Sequence, residues 1–250
     1  MRKAAPRIKP PVNVARILPA DWIHALDRNA TKCGLGLDVG TTTNKKSNPC
    51  VLTLSQKVGN EVRFPLIVRW KSKDPEVAKA IIRAVVAGLQ LVGLRARRLC
   101  IDATNERYFA VGVRQAFVGV LPVELIVSSE KTEYLGEEML WKVYLGNLFV
   151  NLVEEGYAAL PSAPWVKIDI RSVITEKGSF AAEVVEDGGH GDVFDGCKLA
   201  THAIEGSGGP AEAAGAPTGS MGAGRAPVRA GVKNPFAHKF QPSVRPRRAT

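Results

Sequence analysis

Two apolar runs in this chain each close on an aspartate, and that coincidence limits the folds open to it. The first is Gly34-Leu-Gly-Leu-Asp38-Val-Gly40, and the second is Arg98-Leu-Cys-Ile-Asp102. A short apolar run bounded by turn residues marks a strand buried in a sheet. A carboxylate at the end of such a strand leaves water and needs a partner or an ion.

The segments between these runs predict the rest of the sheet. Cys50 to Ser55 and Glu61 to Trp70 are further strands, linked by the turn segments 40–49 and Lys57-Val-Gly-Asn60. Three consecutive strands on short links predict an antiparallel meander. Asp74-Pro75 opens a helix, with Asp74 as N-cap and Pro75 at the first helical position. Val77, Ile81, Val85 and Leu89 continue it at helical spacing, and Gly93 stops it. After the strand ending at Asp102 come a helix from Glu106 to Phe117, a strand from Val120 to Val127 and a long amphipathic helix from Tyr134 to Gly156. Val166 to Ile174 and Phe180 to Val185 predict a hairpin turning at Lys177-Gly178, and Asp192 to Ile204 predicts a closing helix. A meander followed by helix-linked strands resembles the RNase H order. The expected class is therefore α/β: an RNase H-like mixed sheet flanked by helices.

Charge divides the chain into three parts. Residues 1–33 carry seven Lys/Arg against two Asp, and residues 207–250 carry seven against one Glu, whereas 34–206 is almost balanced. The overall +10 thus sits mostly in the ends. Residues 1–33 are expected to be a basic lead-in, with a short helix around Pro19 to Leu26. Residues 34–206 are expected to be the folded domain, and the Gly-, Ala-, Pro- and Arg-rich 207–250 a disordered basic tail. Basic ends attract polyanions in a salt-dependent way. No apolar run reaches the roughly 18 residues of a membrane span, and no apolar segment follows the basic N-terminus as in a secretory signal. The expectation is a cytoplasmic protein with no membrane partner. Cys33, Cys50, Cys100 and Cys197 are widely spaced and form no CxxC, which argues for buried thiols over zinc or disulfides.

The acids then define a site. In the expected fold the first and fourth strands are neighbours, so Asp38 and Asp102 meet. Asp192 and Asp195 stand one turn apart at the start of the closing helix. Converging carboxylates repel unless a cation neutralises them, and oxygen donors suit Mg2+ or Mn2+. Two such ions about 4 Å apart clamp a phosphodiester for hydrolysis.

These segments resemble the C-terminal nuclease domain of the large terminase subunit of tailed bacteriophages. The likeness lies in Gly34 to Gly40, in Leu99-Cys-Ile-Asp102-Ala-Thr-Asn-Glu106 followed by Phe109, and in His190-Gly-Asp192-Val-Phe-Asp195 running into Leu199-Ala200. It implies a metal-dependent endonuclease acting on double-stranded DNA during genome packaging. Asp38, Asp102 and Asp192 would be the catalytic metal ligands, with Asp195 a fourth and His190 orienting a ligand or water. Lys45, Lys46, Arg95, Arg97 and Arg98 are the expected phosphate contacts. No G-x-x-x-x-G-K-[S/T] occurs in the sequence, so the chain is expected to be a nuclease half encoded alone, a fragment or a remnant, with a separate ATPase motor or portal or small-terminase components as its partners.

Two other readings use the same residues. Asp38-Val-Gly-Thr-Thr42 and Asp187-Gly-Gly-His-Gly-Asp192 are similar to the phosphate motifs of the ATP-binding actin, Hsp70 and sugar-kinase superfold. Those proteins carry two such domains, however, their second motif leads into a strand, and Asp102 has no role there. A non-catalytic DNA-binding or assembly part would need none of the three acids.

Overall fold

The computed structural model describes residues 12–41, 48–176, 178–183 and 190–205, all within the unit Met1–Pro210; the second unit, Ala211–Thr250, and with it the expected basic tail, lies outside the described residues. Strands β1 (Lys32–Asp38), β2 (Cys50–Val58) and β3 (Glu61–Trp70) form the antiparallel meander that the sequence predicts. Helix α1 (Pro75–Leu91) carries the chain back to β4 (Ala96–Asp102), which lies parallel to β1. Helix α2 (Arg107–Ala116) then leads to β5 (Val123–Ile126), parallel to β4. A short β8 (Ala158–Ala159), which no sequence pattern marks, adds to the far edge beside β3, so the sheet runs β5-β4-β1-β2-β3-β8.

Alternation along the strands assigns the two faces. Leu35, Leu37, Leu52, Leu54, Leu99 and Ile101 pack with α1 and α2 in the larger core. Leu18, Trp22 and Leu26, around a 3-10 turn at Trp22–Ala25, are buried in that same core. This part of the basic lead-in is therefore packed. Val51, Phe64 and Ile67 face the other way, onto α5 (Asp192–Glu205) and Val166. Asp74 accepts from the Glu76 N–H at the start of α1, and Gly93 takes φ +80° just past its end, as the turn chemistry requires. All four cysteines are buried and free, and no helix among the described residues is long and apolar enough to cross a membrane.

Two segments differ from expectation. The helix expected from Tyr134 begins instead at Trp141, as α3 (Trp141–Glu154); before it lies a hairpin of β6 (Lys131–Tyr134) and β7 (Glu137–Leu140). Leu135 and Gly136 take φ +55° and +85°, the left-handed pair that closes a two-residue hairpin. The strand expected over Val166 to Ile174 is mostly helix α4 (Pro164–Arg171), followed by β9 (Val173–Glu176), which pairs with β10 (Ser179–Ala182). Val166, Ile168 and Ile170 alternate like a strand. Pro164 nonetheless opens a helix, and burial at Val166 and Asp169 follows the i, i+3 spacing of a helical face.

Candidate metal centre

The ends of β1 and β4 meet as their register dictates. Leu37 pairs with Ile101, which places Asp38 beside Asp102 at the C-terminal end of the sheet. Helix α5 brings the third acid. It docks on β1 where the strand has no side chains: a Cβ on Gly36 would fall 2.3 Å from the Gly196 carbonyl oxygen and 2.4 Å from the Ala200 nitrogen. A Cβ on Gly196 would in turn meet the Thr53 hydroxyl at 2.7 Å. Ser55 donates to the Ala200 carbonyl oxygen at 2.7 Å and fixes the depth of this contact. Asp195 directly precedes Gly196, so close docking delivers it to the strand ends. Carboxylate oxygens of Asp38, Asp102 and Asp195 all lie within 4.8 Å of one another.

Asp192 is placed differently. It is buried one turn earlier, outside that group of three, but its charge acts on Asp38 and Asp195 acts on it. His190 is half-buried just before Gly191, whose φ of +79° turns the chain into α5 against Val173 and Ala182.

Electrostatics follow from this crowding. Burial lifts the Asp38 carboxyl well above the usual range, and Asp195, Asp192 and Asp102 add to the rise while Lys198 opposes it. Burial also raises Asp195; Lys198 counters by charge and by hydrogen bond, while Asp102 and Asp169 push the same way as burial. Asp192 is pushed up to about 7, by burial first and then by Asp169 and Asp195, with Lys71 and Arg69 opposing. Asp102 is held in place by neighbours. Thr104 donates to it through both its N–H and its hydroxyl, and the Ser128 N–H donates to the Thr104 oxygen at 2.9 Å.

Lys198 and Asp169 escaped the sequence reading. Lys198 is buried and reaches Asp195 at 2.6 Å; the Asp195-x-x-Lys198 spacing was its visible signal. Asp169 on α4 accepts from the Val193 and Phe194 N–H groups at 2.8 and 3.3 Å, capping α5 from another element. Its signal was hidden inside the misassigned strand. Glu106 accepts from the Thr41 hydroxyl, tying the segment after β1 to the start of α2.

Of the expected phosphate contacts, the structure describes only the three arginines. Lys45 and Lys46 lie outside the described residues. Arg95 and Arg97 stand at the start of β4, the end of the strand opposite to Asp102. Arg97 donates to the Ile204 carbonyl oxygen at 3.0 Å. Arg98 is only 2% exposed; it pairs with Glu124 at 2.8 Å and donates to the Ala203 and His202 carbonyl oxygens. These two guanidinium groups satisfy the C-terminal carbonyls of α5 and so serve packing. Cys100 and His202 also gather around Glu124, with His202 Nε2 at 3.4 Å from it, beneath the rings of Trp141 and Tyr144.

No protein-family model and no curated protein sequence matches the chain. Solved structures do. The large terminase nuclease from thermophilic phage G20c superimposes with a TM-score of 0.51 at 16% identity, over 70% of this chain and 83% of that one. The large terminase of a second thermophilic bacteriophage also gives 0.51, at 12% identity, over 72% of this chain and 41% of that one. At such identities the likeness is one of fold: the chain shares the RNase H-like architecture of these nuclease domains.

Proposed function

Proceeding from that shared architecture, we propose that the chain is a metal-dependent endonuclease that hydrolyses double-stranded DNA during phage genome packaging. The observation that carries this reading is the meeting of Asp38, Asp102 and Asp195 from three separate elements, with oxygen atoms within 4.8 Å. Nothing in folding calls for three carboxylates so close, and their mutual repulsion costs stability. The donor set consists of carboxylate oxygens alone, which fits a hard divalent cation.

Asp38, Asp102 and Asp195 would hold the metal, with Asp192 completing a second site. Magnesium or manganese ions, two in the fullest form, would there supply the charge that acidifies a water and neutralises the phosphoryl oxygens. The protein's own groups set the stage for that chemistry. Thr104 and Ser128 fix the Asp102 carboxylate, so its lone pairs are oriented before substrate arrives. Lys198 holds Asp195 and leaves the cluster with less negative charge to be balanced. Asp169 fixes the N-terminal turn of α5, from which both Asp192 and Asp195 project. His190, just before that turn, is assigned to orienting a ligand or water. An ATPase motor, or portal or small-terminase components, are the partners this reading implies, and the host cytoplasm is the setting.

Plasmid cleavage by the purified full chain, with Mn2+, Mg2+ or EDTA, tests the reading beside Asp38→Asn and Asp102→Asn. Cutting that needs metal and disappears in both variants, with unchanged circular dichroism, is the expected result. Full activity in either variant would remove the site from the mechanism.

A further inference from the structure

A cluster of carboxylates repels a polyanion, so a duplex held against it needs cations nearby. The arginines at the start of β4 are at the wrong end of the sheet. The meander places other cations at the right one. Asp38 pairs with Val51, and Val51 pairs with Arg69, so the three residues share one row and one face of the sheet. Two strand spacings separate Asp38 from Arg69, roughly 10 Å. That is less than the width of a B-DNA major groove, about 12 Å.

Arg69, Lys71 and Lys73 alternate along the end of β3 and the link to α1, and all three are exposed. The Arg69 guanidinium lies 4.6 Å above the Trp165 ring of α4. Stacking of this kind holds a planar guanidinium in place while its edges can still meet phosphate oxygens. Lys71 follows Arg69 by two residues, just past the end of β3.

We propose that Arg69, stacked on Trp165, and Lys71 form the phosphate-binding surface that seats duplex DNA on the acid cluster. The proposal rests on the nuclease reading and names the surface through which that site takes its substrate. Each phosphate contact contributes about 0.9 to the slope of log affinity against log salt. The double variant Arg69→Ala/Lys71→Ala should therefore lose roughly 1.8 from that slope. Trp165→Ala should weaken binding at fixed salt while keeping the charge. Arg95→Ala, which removes an exposed cation at the opposite end of the sheet, should leave the slope as it is.

The measurement is fluorescence anisotropy of a labelled DNA duplex with the full chain in EDTA, across a salt series. Matched thermal melts check that each variant is folded. A lowered slope in the double variant alone supports the surface. An unchanged slope there, or an equal loss in Arg95→Ala, overturns it. Plasmid cleavage separates the two claims. Wild-type protein that cuts while the double variant keeps its slope overturns the surface and leaves the nuclease. Protein that never cuts, but shows the expected loss of slope, overturns the nuclease and leaves a DNA-binding surface.

Discussion

Asp192→Asn should stabilise the metal-free protein, and more so as pH rises. The Asp192 carboxyl moves from an ordinary 3.8 to about 7 in the folded chain. Its folded form therefore binds a proton that the unfolded form has already released between those two values. Stability falls as pH climbs through that window, by about 1.4 kcal/mol per unit. Across the window, some three units wide, the loss reaches about 4 kcal/mol and is complete above pH 7. Asparagine carries no such penalty, and the variant also spares Asp38 the repulsion of a neighbouring charge. Loss of a favourable acid in the first turn of α5 takes back about 0.3–1 kcal/mol. Thermal melts in EDTA at pH 4, 6 and 8 read the difference. The two proteins should melt together at pH 4 and diverge by roughly 6–16 °C at pH 8, at about 2–4 °C per kcal/mol for a domain of this size. Parallel curves from pH 4 to pH 8 would refute the reasoning, because they would mean that Asp192 ionises alike in both states.

Gly36→Ala puts a methyl against backbone atoms of α5, so it should cost about 1–3 kcal/mol in urea unfolding and lower cleavage as Asp195 is displaced. Asp169→Ala leaves two N–H groups of α5 without their acceptor and should cost about 1–2 kcal/mol, with Asp169→Asn losing less in the same assay. Lys198→Met strips the partly exposed Asp195 of its counterion; the melt should fall by the equivalent of about 1 kcal/mol in EDTA, and added Mn2+ should recover part of it. Arg98→Met breaks the pair with Glu124 and two bonds to α5 carbonyls, and should cost about 2 kcal/mol by denaturant titration without changing the metal requirement.

The meander and its helix-linked strands were legible because apolar runs, turn residues and the Asp74-Pro75 cap all agreed on the same elements. Asp38 and Asp102 stood out for a related reason, each being a charge closing an apolar run. Local pattern failed where long-range contacts decide. Tyr134 to Leu140 has the composition of a helix, but Leu135 and Gly136 fold it back as a hairpin whose Tyr134 ring packs on Tyr144 of α3. Val166 to Ile170 alternates like a strand, yet the burial of Asp169 against the start of α5 belongs to a helix. Spacing along α5 put Asp192 and Asp195 on one face; only docking depth distinguishes the acid that reaches Asp38 and Asp102 from the one a turn behind. Charge alone likewise could not tell Arg98, spent on carbonyls at the far end, from Arg69, in the same row of the sheet as Asp38.

Helix α5 is pinned near both tips: Asp169 grips its first N–H groups, and Arg97 and Arg98 grip its last carbonyls. A rod fastened at one end can pivot, and its free tip sweeps widely. A rod fastened at both can neither slide nor tilt without breaking bonds somewhere along its length. Asp195 projects from between these two anchors, so the fold itself sets its distance from the strand acids. The spacing of the three carboxylates is thus fixed by contacts remote from them.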